Sequence, residues 1–156
     1  PVIPGPAGQV YNEDINRLIQ RLHGEVLYLD PPYNTRQYCS NYHVLETIAR
    51  YDNPTLVGKT GLRNSAAQKS LFCSKKTVLA SFEALIAQAP FQYMFLSYKN
   101  EGLMSLPDIK RIMSKYGVYS VYTQTEYKRF QADREENRRI AAKSTTEYLH
   151  CLQKEL

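Results

Sequence analysis

The nine residues EVLYLDPPY (25–33) restrict the fold more than any other stretch of this chain. EVLYLD has the length and apolar content of a short buried strand. Pro31 and Pro32 must end it, because proline has no N–H to donate to a ladder and its φ is fixed. The chain therefore leaves a sheet along a rigid path, with the Asp30 carboxylate on one side and the Tyr33 ring on the other.

The flanking residues supply elements for such a sheet. Ile15, Leu18, Ile19 and Leu22 recur at helical spacing, and Asn12 or Asp14 can cap a short helix that ends at Leu22. After the prolines, NTRQYCSNYH (34–43) is polar and turn-like, and a helix over residues 42–51 turns Val44, Leu45 and Ile48 inward. Residues 52–64 (DNPTLVGKTGLRN) read as a long surface loop. A helix over about residues 66–89, broken near Cys73-Ser74, stops at Pro90. FQYMFLSY (91–98) is a second buried strand. LPDIKRIMSKYG (106–117) is a short helix with Pro107 in its first turn and Gly117 at its C-cap. VYSVYTQT (118–125) alternates as a strand does, and TTEYLHCLQ (145–153) closes as the last one. Between them the charged residues 127–143 have no apolar period and read as a loop or a solvated helix. This order predicts an α/β sheet with a terminal β-hairpin. Ligands of such sheets sit outside the carboxyl ends of parallel strands, where Asp30 and Ser97 fall. The opening PVIPGPAGQV (1–10) reads as a linker or a cut end, and residues 11–156 as one domain.

Composition narrows the class. Nearly half of the 156 residues are apolar and only seven are glycine, which excludes disordered and fibrous chains. No run has the length of a membrane span and no signal-peptide pattern opens the chain. Cys39, Cys73 and Cys151 are far apart and odd in number, so neither a disulfide framework nor a metal site is indicated, and a reducing cytoplasm is the natural setting. The net charge of +5 favours a polyanionic partner, and thirteen tyrosines offer stacking surfaces.

The chemistry available at DPPY is specific. A carboxylate, a prolyl carbonyl outside the sheet ladder and an aromatic face converge on one point. Asp30 can accept one N–H of a planar amine and the Pro31 carbonyl the other, while Tyr33 stacks on the ring that bears it. Two acceptors draw the nitrogen toward a tetrahedral form and expose its lone pair to an electrophile.

YLDPPY stands with YNEDINRLIQ before it and SNYHVLETIARYDNP, GKTGLR, FLSYKNEG, EYKRF and TEYLHCL after it. In this order the segments resemble the catalytic half of DNA adenine-N6 methyltransferases, in the class whose catalytic motif comes last. The resemblance runs from about Tyr11 to the end and implies the carboxyl-terminal half of a Rossmann-like methyltransferase sheet. It assigns Asp30, Pro31, Pro32 and Tyr33 to catalysis on a flipped adenine. Asp14 and Asp30 would meet S-adenosylmethionine, and Tyr98 and Asn100 would border the target-base pocket with Tyr33. Double-stranded DNA is the implied partner and site-specific modification the implied role. The family's aromatic-x-Gly-x-Gly loop occurs nowhere in these residues, so the chain resembles a carboxyl-terminal portion, completed by a further segment or by self-association.

Several residues keep a second reading. Asp14 serves equally well as a helix N-cap, and Tyr98 and Asn100 as turn residues after a strand. Lys59 and Arg63 lie in a glycine-containing loop beyond the catalytic strand and are expected on a DNA backbone. The cations of residues 128–143 alternate with acids and suit a solvated face. His43 and His150 show no ligand spacing. An RNA-base or protein-glutamine methyltransferase is an alternative, although Asp30 replaces the asparagine usual in glutamine enzymes. An inactive remnant that binds DNA or a partner is a third.

Overall fold

The computed structural model describes Gly5, residues 8–128 and residues 144–155. Four strands form the main sheet in the order β1 (Gly24–Leu29), β4 (Phe91–Lys99), β6 (Ser144–Gln153), β5 (Val118–Lys128). β1 and β4 run parallel, with Leu27 opposite Met94 and Leu29 opposite Leu96. β6 is antiparallel to β4 and to β5, so the final pair is the expected hairpin, with β6 inserted beside β4. The result is the predicted mixed α/β architecture.

Helix α1 (Ile15–Leu18) starts at Asp14, whose side chain accepts from the N–H groups of Asn16 and Arg17. It is shorter than expected and passes into a 3-10 turn over Ile19–Arg21. The predicted long helix before Pro90 is mostly absent. Only α4 (Val78–Gln88) is α-helical, preceded by 3-10 turns at Ala66–Gln68 and Leu71–Cys73. Hydrogen bonds explain the break: the Ser70 hydroxyl accepts from Phe72 N–H, and the Gln37 side chain both donates to and accepts from the Ser70 backbone. Ser105 caps α5 (Leu106–Met113), and Pro107 sits in its first turn. Gly117 is not that helix's C-cap, which is Ser114. It is glycine because a Cβ there would lie 2.2 Å from the Gln153 carbonyl oxygen.

One face of the sheet carries the core. Met94, Leu96 and Leu152 are fully buried against Phe82 and Ile86 of α4 and Ile109 and Ile112 of α5. The alternate side chains of the same strands have no such cover. Val26 and Tyr28 are 57% and 61% exposed, and Tyr93, Phe95 and Cys151 are only half-buried. Among the described residues β1 is thus an edge strand beside β4, with only its inner face covered.

The segment after β1 also differs from expectation. Two helices, α2 (Tyr38–Asn41) and α3 (His43–Arg50), replace one, and Val44, Leu45 and Ile48 point outward, 57–66% exposed. The apolar stripe is real, but among the described residues no layer covers it. The anticipated loop 52–64 contains a small hairpin, β2 (Leu56–Val57) with β3 (Leu62–Arg63), turned through Gly58 and Gly61 at positive φ. Most of the charged stretch 127–143 lies outside the described residues. No helix of the described residues is long and apolar enough to cross a membrane.

Candidate active site

The ladder of β1 stops at Leu29, and Asp30, Pro31 and Pro32 leave the sheet beside the carboxyl end of β4. They open into a cleft of about 730 Å³. One wall is Asn12, Glu13, Asp14 and Ile15; another is Ala67–Ser70; Leu29, Phe72, Phe82 and Leu85 lie beneath. Asp14 and Asp30, 16 positions apart in sequence, therefore share one cavity. Asp14 is the helix N-cap, its Oδ1 accepting the two capping bonds at 3.0 and 3.3 Å, and the residue also lines the cleft. Glu13, Lys69 and Ser70 were not anticipated. Glu13 sits next to Asp14 and is ion-paired with Arg21. Lys69 and Ser70 are brought to the cleft by the Gln37 side chain, which clamps the Ser70 backbone from 33 positions away, and no spacing rule reveals that.

Tyr33 lies to the side of this cleft. Its backbone carbonyl accepts from Leu103 N–H at 3.0 Å, and the Lys99 ammonium stands 4.5 Å from the centre of its ring. Lys99 thus covers a face of the motif's tyrosine, a contact of the cation–π kind. Tyr98 does not border the cleft. It is buried, its hydroxyl accepts from Met104 N–H at 3.3 Å, and burial raises the pKa of that hydroxyl. Gly102 crosses the ring so closely that a Cβ there would come within 2.1 Å of it. Tyr98 thus supports the turn whose Leu103 fixes Tyr33. Asn100 ties the end of β4 to the start of β6: its Oδ1 accepts from the Thr145 hydroxyl and Thr146 N–H, and its own N–H donates to Thr146 C=O.

Lys59 is exposed in the β2–β3 turn. Arg63 is held by two short bonds to the Asp52 carboxylate, 2.7 and 2.6 Å, and by one of 3.3 Å to the Thr47 hydroxyl. That guanidinium lowers the pKa of Asp52. Away from the cleft, His150 is fully buried on β6 with its Nδ1 at 2.8 Å from the Tyr119 hydroxyl, and burial lowers its pKa to about 4.

Residues 6–115 match the family of D12 class N6 adenine-specific DNA methyltransferases. The chain is 56% identical over 146 residues to the Type II methyltransferase M.NlaIII of Neisseria lactamica, covering 94% of this chain and 43% of that protein. It is 42% identical over 153 residues to the Type II methyltransferase M.FokI of Planomicrobium okeanokoites, covering 96% of this chain and 23% of that protein. It is 36% identical over 126 residues to the modification methylase StsI of Streptococcus sanguinis, covering 80% and 19%. The chain thus spans less than half the length of each of these relatives. No solved structure matches it.

Proposed function

This chain belongs to the D12 class of N6 adenine-specific DNA methyltransferases, and from that premise we propose that it carries the base-holding side of a site for adenine-N6 methylation. The substrate is an adenine turned out of duplex DNA, since a stacked base keeps its amine out of reach. The observation that carries this reading is the position of Asp30-Pro31-Pro32-Tyr33, released from β1 at the carboxyl edge of the parallel pair and opening into the cleft.

The roles follow from atom types. The Asp30 carboxylate accepts one N–H of the exocyclic amine and the Pro31 carbonyl the other, so the nitrogen lone pair is directed away from both. Pro32 keeps the turn rigid and the Pro31 carbonyl out of the ladder. Tyr33 offers its ring to the base, braced by Lys99 and Leu103. Tyr98 and Asn100 act through that brace, as positioning residues. The acidic wall of Glu13, Asp14 and Asp30 over apolar residues suits a cationic, amphipathic cofactor, and the cavity has the volume of a small-molecule site. S-adenosylmethionine is the proposed occupant, and its chemical contribution is an electrophilic methyl group. The names of the relatives, Type II methyltransferases and a modification methylase, support site-specific DNA modification as the setting.

The test is labelled-methyl transfer to duplex DNA by the full-length protein. Asp30→Ala should abolish transfer with the circular-dichroism spectrum unchanged. Asp30→Asn, which keeps shape but loses charge, should reduce the rate about a hundredfold or more, the usual scale for one preorganised catalytic group. Near-normal turnover by the alanine variant would remove Asp30 from the mechanism.

A further inference from the structure

We propose that the stacked rings of Tyr38 and Tyr42 form a platform for the nucleobase next to the adenine that enters the cleft. The inference rests on the adenine-methylation reading above and adds a specific contact to it.

The two rings are parallel to within 8°, with centroids 5.8 Å apart, at positions i and i+4 across the junction of α2 and α3. They are not core residues: Tyr38 is 52% exposed and Tyr42 54%. Yet they are not loosely attached. Gln37, just before them, is clamped to the Ser70 backbone by bonds of 2.8 and 3.1 Å, and Ser70 lines the cleft. Cys39, just after Tyr38, lines the same cleft, and the Arg36 carbonyl accepts from the Cys73 thiol. The pair is therefore fixed to the rim of the cavity that Asp30 enters. Burial raises the pKa of the Tyr38 hydroxyl, and Tyr33 and Asp30 are near enough to add to the effect.

An exposed face of a stacked aromatic pair beside a cleft for an extruded base has an evident use. Extruding the base removes a stacking partner from each of its neighbours, and an aromatic face restores it without regard to base identity. Exposed Arg36 beside the pair and Lys69 on the cleft wall supply the positive charge that a phosphate backbone needs.

The experiment is a cycle of protein and DNA changes. The full-length protein is given a duplex in which labelled-methyl transfer has been mapped to one adenine. Two further duplexes lack the base on the 5′ or the 3′ side of that adenine. With intact duplex, Tyr38→Ala and Tyr42→Ala should each weaken DNA binding by roughly tenfold, and Tyr38→Phe should bind as wild type. On one of the abasic duplexes the wild type should lose a similar factor, and the alanine variants should lose nothing more. Full loss by the variants on both abasic duplexes, or binding equal to wild type throughout, overturns the platform. Thermal melting of each variant separates these results from unfolding, and Tyr38→Leu, which keeps an apolar side chain without the ring, should behave as Tyr38→Ala. Absence of adenine methylation by the wild type would sink the parent reading itself, whereas methylation without coupling would sink only the platform.

Discussion

Asp14 caps a helix with its carboxylate and also lines the cleft, and from the sequence its two readings could only compete. What the residue types do specify is the strand exit: aspartate, two prolines and tyrosine behave as their backbone chemistry requires. What they hide is support. Alternation with Met94 and Leu96 already puts Tyr98 on the core face, and what SYKNEG hides is Gly102 folding across its ring. His150 belongs to the same class. Its Nε2 is buried with no partner among the described residues, so a proton there would place an uncompensated charge between Tyr119 and Tyr148. Its folded pKa of about 4 lies below the ordinary 6.5, so the unfolded chain binds the extra proton first. Stability from this group is complete above pH 6.5 and is lost as pH falls toward 4, by on the order of 3 kcal/mol in all. Denaturant midpoints measured between pH 7 and pH 5 should show the slope before the carboxylates titrate. His150→Leu should flatten it; an unchanged slope would clear His150 of the effect.

At the scale of elements, the four strands of the main sheet and α5 were legible because their neighbours in sequence carry the signals, a proline, a capping serine or an alternation of faces. The segment 66–77 was not, because a distant side chain, Gln37, takes its backbone groups. Helix α3 was legible as a helix and misleading as to its orientation, since an apolar stripe does not say whether a layer exists to receive it. The β2–β3 hairpin is the element that separates two cations of one loop. Arg63 pins β3 to α3 through Asp52 and Thr47, whereas Lys59 stands at the tip. Lys59→Ala should weaken DNA binding for all sequences and flatten the salt dependence by about one counterion, with the melting temperature unchanged. Arg63→Ala should lower the melting temperature as well as the affinity. Filter binding over a salt series, read beside thermal melting, distinguishes them; a change of target sequence at constant salt slope would refute the phosphate role of Lys59.

The described residues form two layers, with helices on one side of the sheet and an apolar side that none of them covers on the other. Val26 and Tyr28 lie on that open side and on the free edge of β1, where unpaired strand groups invite another chain. A polypeptide of these 156 residues should self-associate in sedimentation experiments, and a Val26→Lys, Tyr28→Lys double variant should shift it toward monomer without loss of secondary structure. Persistent association of that variant would place the contact elsewhere. This sidedness distributes the three thiols in a useful way. Cys39 lines the cleft, Cys73 is buried with its pKa raised by that burial, and Cys151 belongs to the open face. A single thiol reagent therefore meets three clocks on one chain: the rate at Cys39 reports whether the cleft is occupied, that at Cys151 whether the sheet is covered, and that at Cys73 how often the fold opens.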